Sequence, residues 1–241
     1  MNRIRNTQQN GFTIIELSLS MAFIAMLLLS ISMLTIQINT LYNKGLTMRA
    51  VNESGALIMR DMQQSLNSSI PGNVLYVEEP NTGGRLCTNG AVYAWNYGGH
   101  TSSGTYGFYG RNSLSSGSEV RLLRLTGSDS YCKPDGGVYP LLPATGEYTA
   151  LLKPGDNTLA LNSFALPNGS DGKRGEPVKD DNTQRMYRVT FALGTEDGKY
   201  ITTNNCQAAD SSVQNATDDS YCAVNIFTFT ARAGNRNSDG G

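Results

Sequence analysis

The chain has 241 residues, with 19 basic and 20 acidic side chains and a formal net charge of −1, so no overall field draws it to nucleic acid or to anionic lipid. Much of its apolar content is spent on one N-terminal stretch, which leaves enough for one globular domain rather than two. The only histidine, His100, stands in the flexible Gly98-Gly99-His100-Thr101-Ser102 loop without the partners that would poise it as a base, so an enzyme is not expected.

Residues 1–11, MNRIRNTQQNG, are polar and carry Arg3 and Arg5 ahead of a long apolar run. From Leu17 to Ile36 no residue is charged, and the uncharged stretch continues to Asn43. Twenty helical residues at about 1.5 Å each cover about 30 Å, the thickness of a bilayer's hydrocarbon core, so the segment is predicted to span. Positive charge in front, with the next basic residue only at Lys44, predicts a cytoplasmic N-terminus and an exported remainder. The run is too long for a secretory signal, and Leu34-Thr35-Ile36-Gln37-Ile38 offers no small-x-small cleavage site. A plain signal anchor accounts for everything except Glu16, at the start of the apolar helix. A lone carboxylate there costs a few kcal/mol even on lenient insertion scales, so it asks for a partner.

Gly11-Phe12-Thr13-Ile14-Ile15-Glu16-Leu17, following a basic leader and opening a membrane-length helix, resembles the class III signal of type IV prepilins. The resemblance implies a cut by prepilin peptidase after Gly11, N-methylation of the new terminus Phe12, and an assembly role for Glu16. It also implies the partners of such a chain: the lipid bilayer before assembly, an inner-membrane assembly platform, and other pilin subunits. Leader removal takes away Arg3 and Arg5 and makes the chain two charges more negative. The chemistry is coherent, because the freed amine of Phe12 can neutralise Glu16 of a neighbouring subunit. Such a buried ion pair adds little net stability, but an unpaired member is strongly disfavoured, so it sets register. The sequence departs from many major pilins, which carry a helix-breaking Pro and a preceding Gly where Ala25 and Met33 lie here; no Pro occurs before Pro71. The segment is therefore expected to stay continuously helical.

Residues 12–40 form the expected transmembrane and assembly half of the helix, and 41–70 an amphipathic half. Leu46, Val51, Ile58, Met62, Leu66 and Ile70 predict an apolar stripe, which Pro71-Gly72 terminates. A helix from Phe12 to Ile70 would be about 90 Å long. Gly45 and Gly55 weaken its interior by about 1 kcal/mol each relative to Ala, marking either bends or close packing. The stretch from Arg49 to Met62 is similar to the same region of PilW-like and PulJ-like minor pilins, a short match that leans toward a minor subunit.

Residues 71–241 are rich in Gly, Ser, Asn and Thr and predict a β-rich head. In Met186 to Leu193, Tyr187, Val189, Phe191 and Leu193 fall on one face and Arg188 and Thr190 on the other, the alternation of a half-buried strand. Further strands are expected at Val120 to Leu125, Tyr148 to Leu152, Thr158 to Leu166, Lys199 to Thr203 and Ala223 to Thr230, with turn-forming residues between them. The predicted fold class is α+β, a long N-terminal helix packed on an antiparallel sheet, the type IV pilin fold in the resembled family. Residues 168–182 read as an exposed loop and the tail from Ala233 to Gly241 as frayed.

Cys87, Cys132, Cys206 and Cys222 all follow the apolar segment and form no CxxC pair, which predicts disulfides in an exported region. Three connectivities are possible. Sequential pairing, Cys87 with Cys132 and Cys206 with Cys222, is preferred because local loops close most readily, and the shorter loop is worth about 3 kcal/mol in the chain-entropy model. The second pair would bound a loop similar to the C-terminal disulfide region of many pilins.

No cofactor or metal is expected. Asp180-Asp181 and Asp218-Asp219 offer loop oxygens of the kind that hold calcium in some pseudopilins, but adjacent loop acids are usually solvated. Tyr93, Trp95, Tyr97, Tyr106, Phe108 and Tyr109 read as strand packing, with an adhesive surface as the alternative. The expected function is a structural subunit of a type IV pilus-like filament, a minor priming or tip pilin serving adhesion, twitching or DNA uptake. The alternatives are a major pilin, a pseudopilin of a type II secretion system, or a membrane-anchored adhesin that never polymerises. The first two place the head outside the cytoplasmic membrane in a pilus or pseudopilus, and the sequence does not identify its ligand.

Overall fold

Apolar residues on every side of the N-terminal segment and an apolar stripe beyond it produce one helix, α1, Ile14–Asn67. The computed structural model describes residues 13–79, 82–98, 120–127, 129–133, 139–142, 148–152, 159–166, 176–178, 181–195, 201–202, 205–206 and 222–234, with only the backbone for 176–178, 181–183, 201–202 and 205–206. The chain divides into two units, Met1–Asn43 and Lys44–Gly241. In the first, every described residue through Tyr42 is exposed.

In the second unit, α1 buries Thr47, Val51, Gly55, Ile58, Met62 and Leu66, one residue every three or four and therefore one face. This corrects the expected stripe at its ends: Leu46 is 43% and Ile70 50% exposed. The helix stops before the predicted terminator because serines take over its last carbonyls. Ser68 Oγ donates to the Ser65 carbonyl at 3.0 Å and Ser69 Oγ to the same carbonyl at 2.6 Å, and Ser69 N–H bonds three residues back to Leu66, a tightened last turn. Pro71–Asn73 then forms a separate 3₁₀ turn.

Two antiparallel sheets and a small hairpin replace the single expected sheet, and α+β describes the result. The first sheet runs in order β1 (Leu75–Glu79), β2 (Gly83–Cys87), β3 (Ala91–Asn96), β4 (Leu122–Thr126), β5 (Tyr148–Leu152). β1 and β2 were not anticipated and β3 was read only as aromatic strand packing without bounds, because β2 and β3 are buried on both faces and so lack the alternation that betrays a half-buried strand. The second sheet places β8 (Asp181–Thr195) between β6 (Leu159–Ala165) and β11 (Val224–Ala233), with β7 (Glu176–Val178) also on β8. β7 and the start of β8 lie inside the stretch read as a loop, and Ala233, read as the start of the tail, ends β11 fully buried. β9 (Ile201–Thr202) and β10 (Asn205–Cys206) pair with each other. A parallel bridge between Tyr97 and Leu161 ties the sheets together.

The main core packs the α1 face against Tyr93 and Trp95 of the first sheet and Tyr187, Val189, Phe191 and Leu193 of the second, the four side chains predicted to share a face. The rings of Trp95 and Phe164, 4.3 Å apart, bridge the sheets, and Phe191 and Phe227, register partners on neighbouring strands of the second sheet, stack at 5.2 Å. A second core behind the first sheet joins Cys87, Val92, Ala94, Leu123 and Leu125 to Cys132 and Leu142. The Cys87–Cys132 disulfide closes this layer, and fully buried Arg85 donates through one guanidinium nitrogen to the carbonyls of Tyr131 and Pro140, each at 2.8 Å.

α1 also covers the outer edge of β11. Asn225 Nδ2 donates to Asn52 Oδ1 at 2.7 Å, Gln63 Nε2 to the Thr230 carbonyl at 2.9 Å, and Arg232 N–H to Asn67 Oδ1 at 2.9 Å. Fifteen helical residues rise about 22 Å and seven strand residues about 23 Å, so the two elements stay in step while the helix occupies the place of a neighbouring strand.

Candidate functional site

Glu16 lies in the first turn of α1. Its carboxylate is not the unpartnered charge inferred from the sequence. Thr13 N–H donates to Glu16 Oε2 at 3.0 Å, and the Thr13 hydroxyl donates to the same oxygen at 2.9 Å. In return Glu16 N–H donates to Thr13 Oγ1 at 3.3 Å. This is a capping box: a Thr at the helix entry and a Glu three residues on satisfy each other's orphan donors. Thr13-Ile14-Ile15-Glu16 ahead of an apolar run is the sequence signature that would have revealed it.

Other polar side chains of the apolar segment are turned inward in the same way. Ser18, Ser20, Ser30, Ser32, Thr35 and Thr40 each donate a hydroxyl hydrogen bond to a carbonyl three or four residues earlier in α1, at 2.8–3.1 Å. Such back-bonding lets a hydroxyl enter an apolar medium without losing a partner. Around them Leu17, Leu19, Met21, Phe23, Ile24, Met26, Leu27 and their successors to Tyr42 stand 46–72% exposed. A helix apolar all round needs lipid or other helices about it, and α1 is the one described helix long and apolar enough to cross a membrane. Gly11 and Phe12 lie outside the described residues.

Cys87 and Cys132 form the disulfide expected of them, with an S–S distance of 2.09 Å. Cys222 is disulfide-bonded, while the side chain of its expected partner Cys206 lies outside the described ones. Tyr93, Trp95 and Tyr97 are buried in the core, which makes this half of the aromatic region packing. Tyr106, Phe108, Tyr109, His100, Asp180 and Asp218-Asp219 fall outside the described residues. Among the described residues no cluster of His, Cys, Asp and Glu is placed to hold a metal.

Two half-buried carboxylate sites were missed by sequence reasoning. Glu78 accepts a short hydrogen bond from each of the Tyr76 and Tyr97 hydroxyls. Asp61 Oδ2, on α1, accepts from the Tyr93 hydroxyl at 2.7 Å and faces Arg124 Nε at 3.2 Å. Burial, and after it the neighbouring carboxylate, pushes all three phenols above their ordinary range. Both sites tie down segments that periodicity could not place.

No family profile, curated protein or solved structure matches this chain.

Proposed function

We propose that the chain is a structural subunit of a type IV pilus-like filament, made as a prepilin and cut between Gly11 and Phe12. The observation that carries this reading is one of register. A basic leader ending in Gly11 is followed by Phe12 and then directly by a capped helix start, and Glu16 stands at the head of an apolar segment whose described residues are exposed.

The capping box refines the role of Glu16. Both of its carboxylate contacts use Oε2, so a subunit waiting in the bilayer holds its carboxylate partly neutralised by the helix N-terminus. Oε1 then accepts the cationic amine of Phe12 from the adjoining protomer. Entry into the filament adds a partner to Glu16 rather than rescuing a bare charge, and an arriving subunit placed one residue out of register leaves both charges unmatched. The similarity of residues 49–62 to minor pilins supports a priming or tip position.

The test has two steps. Mass spectrometry of the mature protein is expected to find a methylated Phe12 as the first residue; a chain that still begins at Met1 overturns the prepilin reading. Glu16→Val is expected to insert and be cleaved normally but to be lost from sheared filaments. Incorporation of Glu16→Val at the wild-type level beside wild-type subunits would remove the assembly role.

A further inference from the structure

The turn between β2 and β3 pairs Thr88 with Ala91 and leaves only Asn89 and Gly90 at its tip, both exposed. Asn-Gly is the usual pair for a type I′ turn, which needs its glycine in the left-handed region. Gly90 lies outside that region, and a Cβ there would meet nothing within 4 Å, so neither the turn nor packing locks it. Buried Thr88 closes the hairpin instead: its N–H donates to the Ala91 carbonyl at 2.8 Å, and its Oγ1 accepts from Ala91 N–H at 3.2 Å. Gly90 N–H is left with no acceptor among the described residues.

An exposed, unbonded amide nitrogen on a residue without a side chain is the group best able to attack the side-chain carbonyl of a preceding asparagine. Here that carbonyl already has a donor. Asn73 Nδ2 donates to Asn89 Oδ1 at 2.9 Å, a bond that strengthens as negative charge gathers on the oxygen during attack. Asn89 N–H in turn donates to Ser69 Oγ at 3.2 Å, so the same tip ties the first sheet to the serines that end α1.

We propose that Asn89-Gly90 is a site of spontaneous modification in the folded protein. The Gly90 nitrogen, after losing its proton to hydroxide, bonds to Asn89 Cγ and expels ammonia, forming a cyclic imide. Water then opens either carbonyl–nitrogen bond of the ring. One product carries aspartate at 89; the other carries isoaspartate, in which the backbone runs through the former side chain and is longer by one atom. Both place a carboxylate beside the C-terminal end of α1, where negative charge is disfavoured, and isoaspartate also lengthens the tip that Thr88 and Ala91 close. The modification loosens the end of α1 from the hairpin as the protein ages, whether or not the chain enters a filament.

The test incubates the full chain, folded in lipid nanodiscs, at mildly alkaline pH, then reduces it and digests it with trypsin. The peptide of residues 86–111 holds Asn89 and, as an internal control, buried Asn96 followed by Tyr97. A gain of one dalton, with isoaspartate among the products, is expected at Asn89 at least about tenfold faster than at Asn96. Gly90→Ala, which has room for its methyl group, is expected to slow it at least about tenfold, the effect of a barrier raised by roughly 1.4 kcal/mol. In the modified fraction, amides of residues 66–73 are expected to exchange about fivefold faster, the usual worth of one hydrogen bond. Conversion at Asn89 no faster than at Asn96 in the folded chain overturns the site. An unchanged rate in Gly90→Ala overturns attack by the Gly90 nitrogen, and unaltered exchange at 66–73 overturns the loosening.

Discussion

The ring of Phe227 fills the space that a side chain on Gly55 would need, its Cζ lying 2.1 Å from the ideal Cβ position. Helix α1 and strand β11 approach this closely only because one of them contributes no side chain there. The contact sets the depth at which the helix sits on the head, and the rings of Phe191 and Phe164 continue the stack inward from Phe227. Gly55→Ala gains about 1 kcal/mol of helix propensity but overpacks a core contact worth about 1–3 kcal/mol. A net destabilisation of up to about 2 kcal/mol is expected in urea unfolding of the head, and Phe227→Leu in the same chain should recover part of it.

The Cys87–Cys132 disulfide spans a sequence separation of 45 residues. In the chain-entropy model such a loop is worth about 4 kcal/mol. Cys87→Ala with Cys132→Ala is expected to lower the unfolding free energy by about 2–4 kcal/mol and to free the layer of Tyr131 and Pro140 held by Arg85. A loss below about 1 kcal/mol, read by denaturant unfolding, would show that Arg85 holds that layer alone.

Tyr76, Tyr93 and Tyr97 give the head an alkaline limit. Their folded phenols are held protonated above their ordinary range by burial and by Glu78 or Asp61, whereas the same phenols in the unfolded chain ionise near the usual value of about 10. Above that pH the unfolded state binds fewer protons than the folded one, so stability falls as pH rises. The stabilisation is complete below pH about 10 and is lost progressively above it. Tyr97→Phe is expected to make the decline between pH about 10 and 12 shallower, as measured by the unfolding midpoint across that range.

Gln63 and Asn67 shield the outer edge of β11. Asn67→Ala leaves the Arg232 N–H without its side-chain acceptor, and Gln63→Ala leaves the Thr230 carbonyl without its donor. Each exposed bond is worth about 0.5–1 kcal/mol. The larger expected effect of the double variant is association, because an uncovered edge strand recruits another strand. Light scattering at rising protein concentration should separate it from wild type.

Thr13→Val keeps the shape of the residue but removes the hydroxyl that binds Glu16 and caps Glu16 N–H. Amides in the first turn of α1 are expected to exchange about fivefold faster in micelles, the usual worth of a cap, and Thr13→Ser should restore them. Unchanged exchange in Thr13→Val would assign the cap to the Thr13 backbone alone.

Local chemistry was legible in the sequence wherever neighbouring residues alone decide it. Charge-free length determined the exposed apolar half of α1, long enough to cross a membrane, and alternation in Tyr187, Val189, Phe191 and Leu193 determined the inner face of β8, because both signals arise from one element meeting one environment. The preference for local pairing picked out the Cys87–Cys132 bridge among three possible connectivities, and the structure decided it. The Thr13–Glu16 pair was equally local. Tertiary structure alone decided the rest: β1 to β3 form because a helix covers one side of β2 and β3 and a disulfide-tied layer the other, which erases their alternation. Phe227 decides what Gly55 is for, since a glycine carries no side chain from which its neighbours could be read.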